Sequence, residues 1–368
     1  TYTVTDGRAG APATGTTTLT ITIDGTNDAP TITGSMDHAS YVETDGGTGS
    51  FGGELTLGDV DVTNTATVAV HAVAFGAGST TAGLNPALLG NVDDALLNLM
   101  TIYDGGTLSS AQTSAPFVWL FNSGGEAFDY LATGQSLVLE YTLRATDSGA
   151  HGSVSSDRVV TITIVGRNDT PELDLGAAMV SADLIEDEGL DAGNLVASGA
   201  IAFVDPDASD RVSVTRAFVS TNVTTQRPGK TTAVSPALQI ALENLASAFV
   251  LSDDGVGSAV NAGSVTWDFT LDNALVQYLA AGEVVEAVYT ITVTDANGGI
   301  ATRPVTITIT GVNDAPAITI AGGDSAAETL TETDAALATS GTLSVGDVDE
   351  TDTVTVRVVS VAASGVTA

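Results

Sequence analysis

The tetrapeptide Asn27-Asp28-Ala29-Pro30 returns as Asn168-Asp169-Thr170-Pro171 and again as Asn313-Asp314-Ala315-Pro316, at spacings of 141 and 145 residues. A near-constant interval of that length means one unit copied in tandem. The expected division is the closing strands of one repeat (1–30), complete repeats over 31–171 and 172–316, and the opening part of a further repeat (317–368). Phase agrees at both ends. Tyr2 to Asp6 matches the stretch ending Tyr289 to Asp295, and Gly346-Asp347-Val348-Asp349 matches Gly58-Asp59-Val60-Asp61. The chain is thus expected to be an excerpt of a longer array.

Each tetrapeptide is preceded by strict alternation of apolar and polar residues: Leu19, Ile21 and Ile23; Val160, Ile162 and Ile164; Val305, Ile307 and Ile309. Period-two patterning of this kind predicts a half-buried strand. Upstream lie partner strands (Tyr141-Leu143-Ala145, Tyr289-Ile291-Val293) and turn-rich loops such as Asp295 to Gly299, so a hairpin closes each repeat. After each Pro a short extended stretch is expected, because its fixed φ suits the first residue of a strand. Asn85-Pro86 and Ser235-Pro236 read as an N-cap followed by Pro at the first helical position. They predict a short amphipathic helix in each complete repeat, with Leu89, Val92, Leu96 and Leu99 on one face of the first. Leu238, Leu242, Leu245 and Phe249 form that face in the second. Trp119 and Trp267 are expected as core anchors. Many short strands with regular turn signals give the fold class: all-β, tandem immunoglobulin-like sandwiches, each with a short helical insertion, in an elongated array.

Charge narrows the partners. With 45 Asp and Glu against 10 Lys and Arg, the net charge is −35. Nucleic acid and anionic membrane surfaces both need a basic patch, so neither is expected as a partner, and there is no apolar run long enough to insert in a bilayer. Cysteine is absent, which removes disulfides and thiolate metal sites, and His38, His71 and His151 sit in dissimilar contexts that do not suggest zinc. No nucleophile, base and orienting group stand together, and no phosphate loop occurs, so catalysis is not expected.

The recurring acids suit Ca²⁺, which takes 6 to 8 hard oxygen ligands from several segments. In an extended loop, residues i and i+2 project to one side, so Asp59 with Asp61, Asp205 with Asp207, and Asp347 with Asp349 can each face one ion. Taken singly, such pieces are ordinary turn chemistry. Recurring together in one order, they suggest a site.

The pattern Asp147 to Asn168-Asp169-Thr170-Pro171, its copy Asp295 to Asn313-Asp314-Ala315-Pro316, and the segments Tyr278 to Glu283 and Tyr289 to Asp295 resemble the cadherin-like repeats, often called VCBS repeats, of giant RTX-type bacterial adhesins. The resemblance spans the whole chain. It implies calcium at three junctions. The first would use Asp24, Asn27, Asp28, Asp59, Asp61 and Asp147, and the second Glu43, Asn168, Asp169, Asp205, Asp207 and Asp295. The third would use Glu186 or Glu188, Glu283, Asn313, Asp314, Asp347 and Asp349. The copies differ: Asp24 is matched by Val165 and Thr310, Arg167 stands beside the second site, and Gln135 replaces the acid of Glu283. The second junction is therefore expected to be the weakest.

The resemblance further implies an extracellular location on a bacterial surface. There the chain would be a calcium-stiffened stalk whose partners are neighbouring repeats of its own longer chain. Two alternatives stay open: glycan binding by the repeats, and lateral homo-assembly into fibres.

Overall fold

A computed structural model describes residues 1–85, 95–149, 154–173, 176, 179–252 and 261–362. The chain forms two compact units, one of residues 1–128 with 133–167 and one of 129–132 with 168–368.

In the first unit, strands Thr31–Thr33, Ser50–Gly58, Ser114–Asn122 and Met100–Asp104 build one sheet, ordered by space as 31–33, 50–58, 114–122, 100–104. A second sheet of five strands runs His38–Val42, Ser155–Val165, Ser136–Asp147, Ala66–Phe75 and Thr107–Leu108. The alternation of the sequence is the alternation of burial. Leu137, Leu139, Tyr141, Leu143 and Ala145 are buried, as are Val160, Ile162 and Ile164 opposite them. Phe121 on the first sheet meets Tyr141 on the second edge to face, 6.2 Å between ring centres.

The second unit repeats the plan. One sheet holds Glu172–Leu173, Asn194–Val204, Ala262–Asp272 and Phe249–Ser252, and the other Ser181–Ile185, Ile300–Thr310, Val284–Thr294 and Ser213–Thr225. Among the described residues, a core of 22 buried side chains joins both sheets and the helix, from Trp267 and Phe269 to Tyr289 and Ile307. The fold class is therefore the expected all-β sandwich.

One pairing matters more than the rest. The strands His38–Val42 and Ser181–Ile185 run parallel to Ser155–Val165 and Ile300–Thr310, with His38 opposite Thr161 and Ser181 opposite Thr306. Parallel pairing carries the residue that follows the short strand to the same end of the sheet as the residue that follows the long one. Glu43 and Glu186 are thereby delivered to the segments that lead into Asn168 and Asn313.

Trp119 and Trp267 are core anchors, 1% and 0% exposed. Each indole N–H is spent on a backbone carbonyl, Met36 and Met179 respectively, both at 2.8 Å. The residue opposite each is a glycine, Gly53 and Gly199. A Cβ there would come within 2.8 and 2.5 Å of the ring, so only glycine admits the indole.

Three expectations change. The second repeat has its helix, Pro236–Glu243, with the Ser235 hydroxyl accepting from Leu238 N (3.2 Å), and Leu238 and Leu242 buried. It stops at Asn244, whose ψ of 84° leaves the helical region, so Leu245 lies beyond it and Phe249 opens a strand. In the first repeat Pro86, Leu89 and Val92 lie outside the described residues, and Leu97–Leu99 form a single 3-10 turn. Leu19, Ile21 and Ile23 are 59%, 75% and 89% exposed and outside any strand. Alternation makes a strand only where a facing layer buries it. Residues 1–30 form one two-stranded ladder, Tyr2–Thr5 with Thr14–Thr17, and no second layer.

The cap gives a direct test. Ser235→Ala leaves the Leu238 N–H without its acceptor, and a loss of about 1 kcal/mol is expected, measured as a shift of the urea midpoint.

Candidate metal sites at the Asn-Asp segments

One candidate site lies inside the second unit around Asn313-Asp314. Glu186, wholly buried, is locked to the linker by two backbone contacts. Its own N–H donates to Thr310 O (2.9 Å), and its Oε2 accepts from Val312 N (3.0 Å). Gln277 donates to its other oxygen at 2.8 Å. From the next segment, Asp349 Oδ2 accepts from Asp314 N (2.9 Å), and Asp347 Oδ1 accepts from Asp349 N (3.2 Å). Burial and then the charges of Asp314, Asp187 and Asp349 push the Glu186 carboxyl up to about 7, against the single opposing N–H of Val312. Burial foremost also raises Asp314, helped by the charges of Asp187 and Asp347, and Asp349, helped by those of Asp314 and Asp347. Two oxygens that face this cluster, Asp314 Oδ2 and Asp349 Oδ1, are buried without a hydrogen-bond partner.

Of the pair Glu186 and Glu188, Glu186 is the one whose side chain meets the segment leading into Asn313. Glu188 is exposed and only its backbone is engaged, in a turn to Ile185 O. Glu283 is placed differently from the sequence expectation. It is fully buried, and its oxygens are taken by the hydroxyls of Thr232 (2.6 Å) and Thr351 (2.9 Å) and by Ala280 N (3.1 Å). Beside it Arg227 pairs with Asp352, and Glu350 N donates to Tyr278 O (3.2 Å).

The loops after Asn168 form a second cluster in the same unit. Asp207 Oδ2 accepts from Asp169 N (2.9 Å), and Asp205 Oδ1 from Asp207 N (3.1 Å). Asn168 donates to Asp295 Oδ2 (3.0 Å), and Asn297 to Asp210 Oδ2 (2.8 Å). Asp205, Asp210 and Asp295 are all buried, and one oxygen of each lies within 4.8 Å of the others. Burial, then the charges of Asp210 and Asp295, push Asp205 up to about 6, and its Oδ2 has no partner.

In the first unit the same arrangement recurs around Asn27. Asp61 Oδ2 accepts from Asp28 N (2.7 Å), Asp59 Oδ1 from Asp61 N (2.9 Å), and Asp147 Oδ2 from the Asn27 amide (2.7 Å). Burial would raise Asp147, yet the N–H groups of Val154 and Gly149 with the Asn27 amide hold it below the usual range. Asp24 is exposed and joins none of these bonds. Glu43 also belongs to this unit: it is buried, receives Arg167 N at 2.7 Å, and donates its own N–H to Val165 O (3.0 Å). The contact of Arg167 with Glu43 is made through its backbone N–H, and the residue is exposed.

Sequence reasoning missed Asp187 and the position five residues after the first Asp of each Asp-x-Asp. That position is Asn64, Asp210 or Asp352, and its side chain contacts Asn27, Asn297 or Arg227 in turn. The recurrence of Asn or Asp there in all three copies was the available signal. Asp187 holds φ +61° and accepts from Asn273 and Gln277. No local motif announces it.

No protein-family model and no curated protein matches the chain. Among solved structures, the protocadherin gamma B4 extracellular domain is 12% identical, with 79% of this chain and 35% of that one aligned and a TM-score of 0.32. Protocadherin gamma B7 cadherin domains 1–4 align at 14% identity over 87% of this chain and 60% of theirs, TM-score 0.32. Zebrafish RET cadherin-like domains 1 to 4 align at 12% over 70% and 44%, TM-score 0.23. The chain thus spans between 35% and 60% of the length of these structures.

Proposed function

We propose that this chain is a calcium-stiffened structural segment of an extracellular bacterial adhesin or fibre, whose repeats hold a binding module away from the cell. The observation that carries the reading is the buried cluster of Asp205, Asp210 and Asp295, one oxygen of each within 4.8 Å of the others, with Asp205 Oδ2 reached by no donor among the described residues. Two unit charges about 4 Å apart repel by about 4 kcal/mol at an effective dielectric of 20. An assembly of Asp205, Asp210 and Asp295 at such separations therefore needs either protons or a multivalent cation. The donors are all hard oxygens, which favours Ca²⁺ over softer metals.

On this reading Glu186, Asp314, Asp347 and Asp349 hold one such site. Asp169, Asp205, Asp207, Asp210 and Asp295 offer the donors of another, and Asp28, Asp59, Asp61 and Asp147 those of a third. The cation supplies charge neutralisation, and the chain supplies pre-placed carboxylates pinned by backbone N–H groups on both sides of the linker. Each linker would thus lose its freedom when the ion binds. X-ray scattering of the chain with calcium and with chelator tests the idea. A larger maximum dimension and a stiffer profile are expected with calcium, and an identical curve in both would sink the proposal.

Glycan binding has no comparable support. Aromatics are 5% of the residues, and both Trp are buried.

A further inference from the structure

Asn297-Gly298 is the one Asn-Gly pair in the chain. It sits in the loop between strands 284–294 and 300–310, one face of which is the buried acid cluster. We infer that Asn297 is a site of spontaneous modification, converted through a cyclic imide to aspartate and isoaspartate, and that the conversion adds a fourth carboxylate to Asp205, Asp210 and Asp295.

The geometry fits the reaction. Three of the loop's backbone N–H groups are occupied: Asp295 N by Gly299 O (3.1 Å), and Asn297 N and Gly299 N by Asp295 Oδ1 (2.7 and 2.9 Å). Among the described residues nothing accepts from the N–H of Gly298. That nitrogen is the nucleophile the reaction needs. Gly298 has no side chain to hinder its approach, and its φ of +97° keeps the position glycine. Asn297 and Gly298 are both exposed, so water reaches them. The Gly298 nitrogen loses its proton to solvent and bonds to Asn297 Cγ, the Cγ–Nδ2 bond breaks, and ammonia leaves carrying that proton. Water then opens the five-membered imide at either carbonyl. The net change is amide plus water to acid plus ammonia, with no oxidant or cofactor.

The consequence follows from what Asn297 touches. Its Nδ2 donates to Asp210 Oδ2 at 2.8 Å. After conversion that donor is a negative oxygen facing another, so the cation-free loop loses a hydrogen bond and gains repulsion, while a bound cation gains a ligand. The equivalent loop of the preceding repeat, Asp147-Ser148-Gly149, has no asparagine, so the change is confined to one copy.

The cation half of this inference rests on the proposed function, whereas the modification half does not. The test ages the full chain at mildly alkaline pH and maps peptides by mass spectrometry, with enzymatic methylation to mark isoaspartate. A synthetic peptide of residues 293–301 is the reference. Asn297 is expected to convert before any other asparagine, yielding both products. An intact Asn297 after the free peptide has fully converted would overturn the modification. Separately, Asn297→Asp and Asn297→Gln chains are titrated with calcium and melted in chelator. The Asp variant is expected to bind calcium several-fold more tightly and to melt below the Gln variant in chelator. Equal behaviour in both measurements would overturn the coupling. If no variant binds calcium, the proposed function fails while the mapping and the chelator melts still decide this inference.

Discussion

Chelation of a calcium-loaded sample is expected to lower the melting temperature of the second unit by roughly 10 °C. The magnitude comes from linkage: an ion at about a thousand times its dissociation constant stabilises by about 4 kcal/mol, and a domain of this size moves by roughly 2–4 °C per kcal/mol. The structural reason is specific. Asp314 Oδ2 and Asp349 Oδ1 in one cluster and Asp205 Oδ2 in the other are buried acceptors that no group among the described residues satisfies, and a cation at each cluster would satisfy them. Glu186→Ala and Asp349→Ala chains are expected to lose most of the calcium-induced shift at that linker. A scanning calorimetry trace that is the same with calcium and with chelator would remove the basis of the proposal.

The pH dependence has a definite sign. Glu186 and Asp205 are raised in the fold, to about 7 and about 6, so without cations the folded state holds protons that the unfolded chain releases. Such groups add stability below their unfolded values, and that stability is lost as pH rises through the folded ones. The chelated chain is therefore expected to melt higher at pH 5 than at pH 8. Calcium competes with those protons, so the difference between calcium and chelator melts is expected to widen over the same range. A difference that narrows as pH rises would contradict the assignment of these two carboxyls.

Much of this was legible from local pattern. Alternation located the long strands and Ser235-Pro236 located the helix start, because each depends on residues close in sequence. The site was legible in its ingredients but not its assembly. That Glu186 rather than Glu188 reaches Asn313-Asp314 is decided by the parallel register of Ser181 against Thr306, a pairing across 125 positions that no short window contains. Asp187 owes its place to a left-handed turn, and Leu19, Ile21 and Ile23 show the converse, a strand pattern without the layer that would bury it.

Glu283 separates two ways of holding a linker, and its replacement by Ala is expected to destabilise the second unit by roughly 3 kcal/mol whether or not calcium is present. A wholly buried carboxylate accepting from two hydroxyls and a backbone N–H is worth that much, because its removal leaves three buried donors without acceptors. One of those donors, Thr351, lies beyond Asn313-Asp314, and Thr232 and Ala280 lie before it. Arg227 with Asp352, and Tyr278 O with Glu350 N, make the same crossing. The clasp is thus built from protein groups alone, next to a cluster that needs a cation. Glu283→Gln, which copies Gln135 of the preceding repeat, keeps the Oε1 acceptor that both hydroxyls share, loses the one for Ala280 N, and is expected to cost about half as much. Because Glu283 is saturated by protein donors, the calcium-induced shift of the Ala variant should equal that of the parent chain. A variant whose destabilisation vanished in chelator would instead make Glu283 part of the cation site, and the clasp would have to be abandoned.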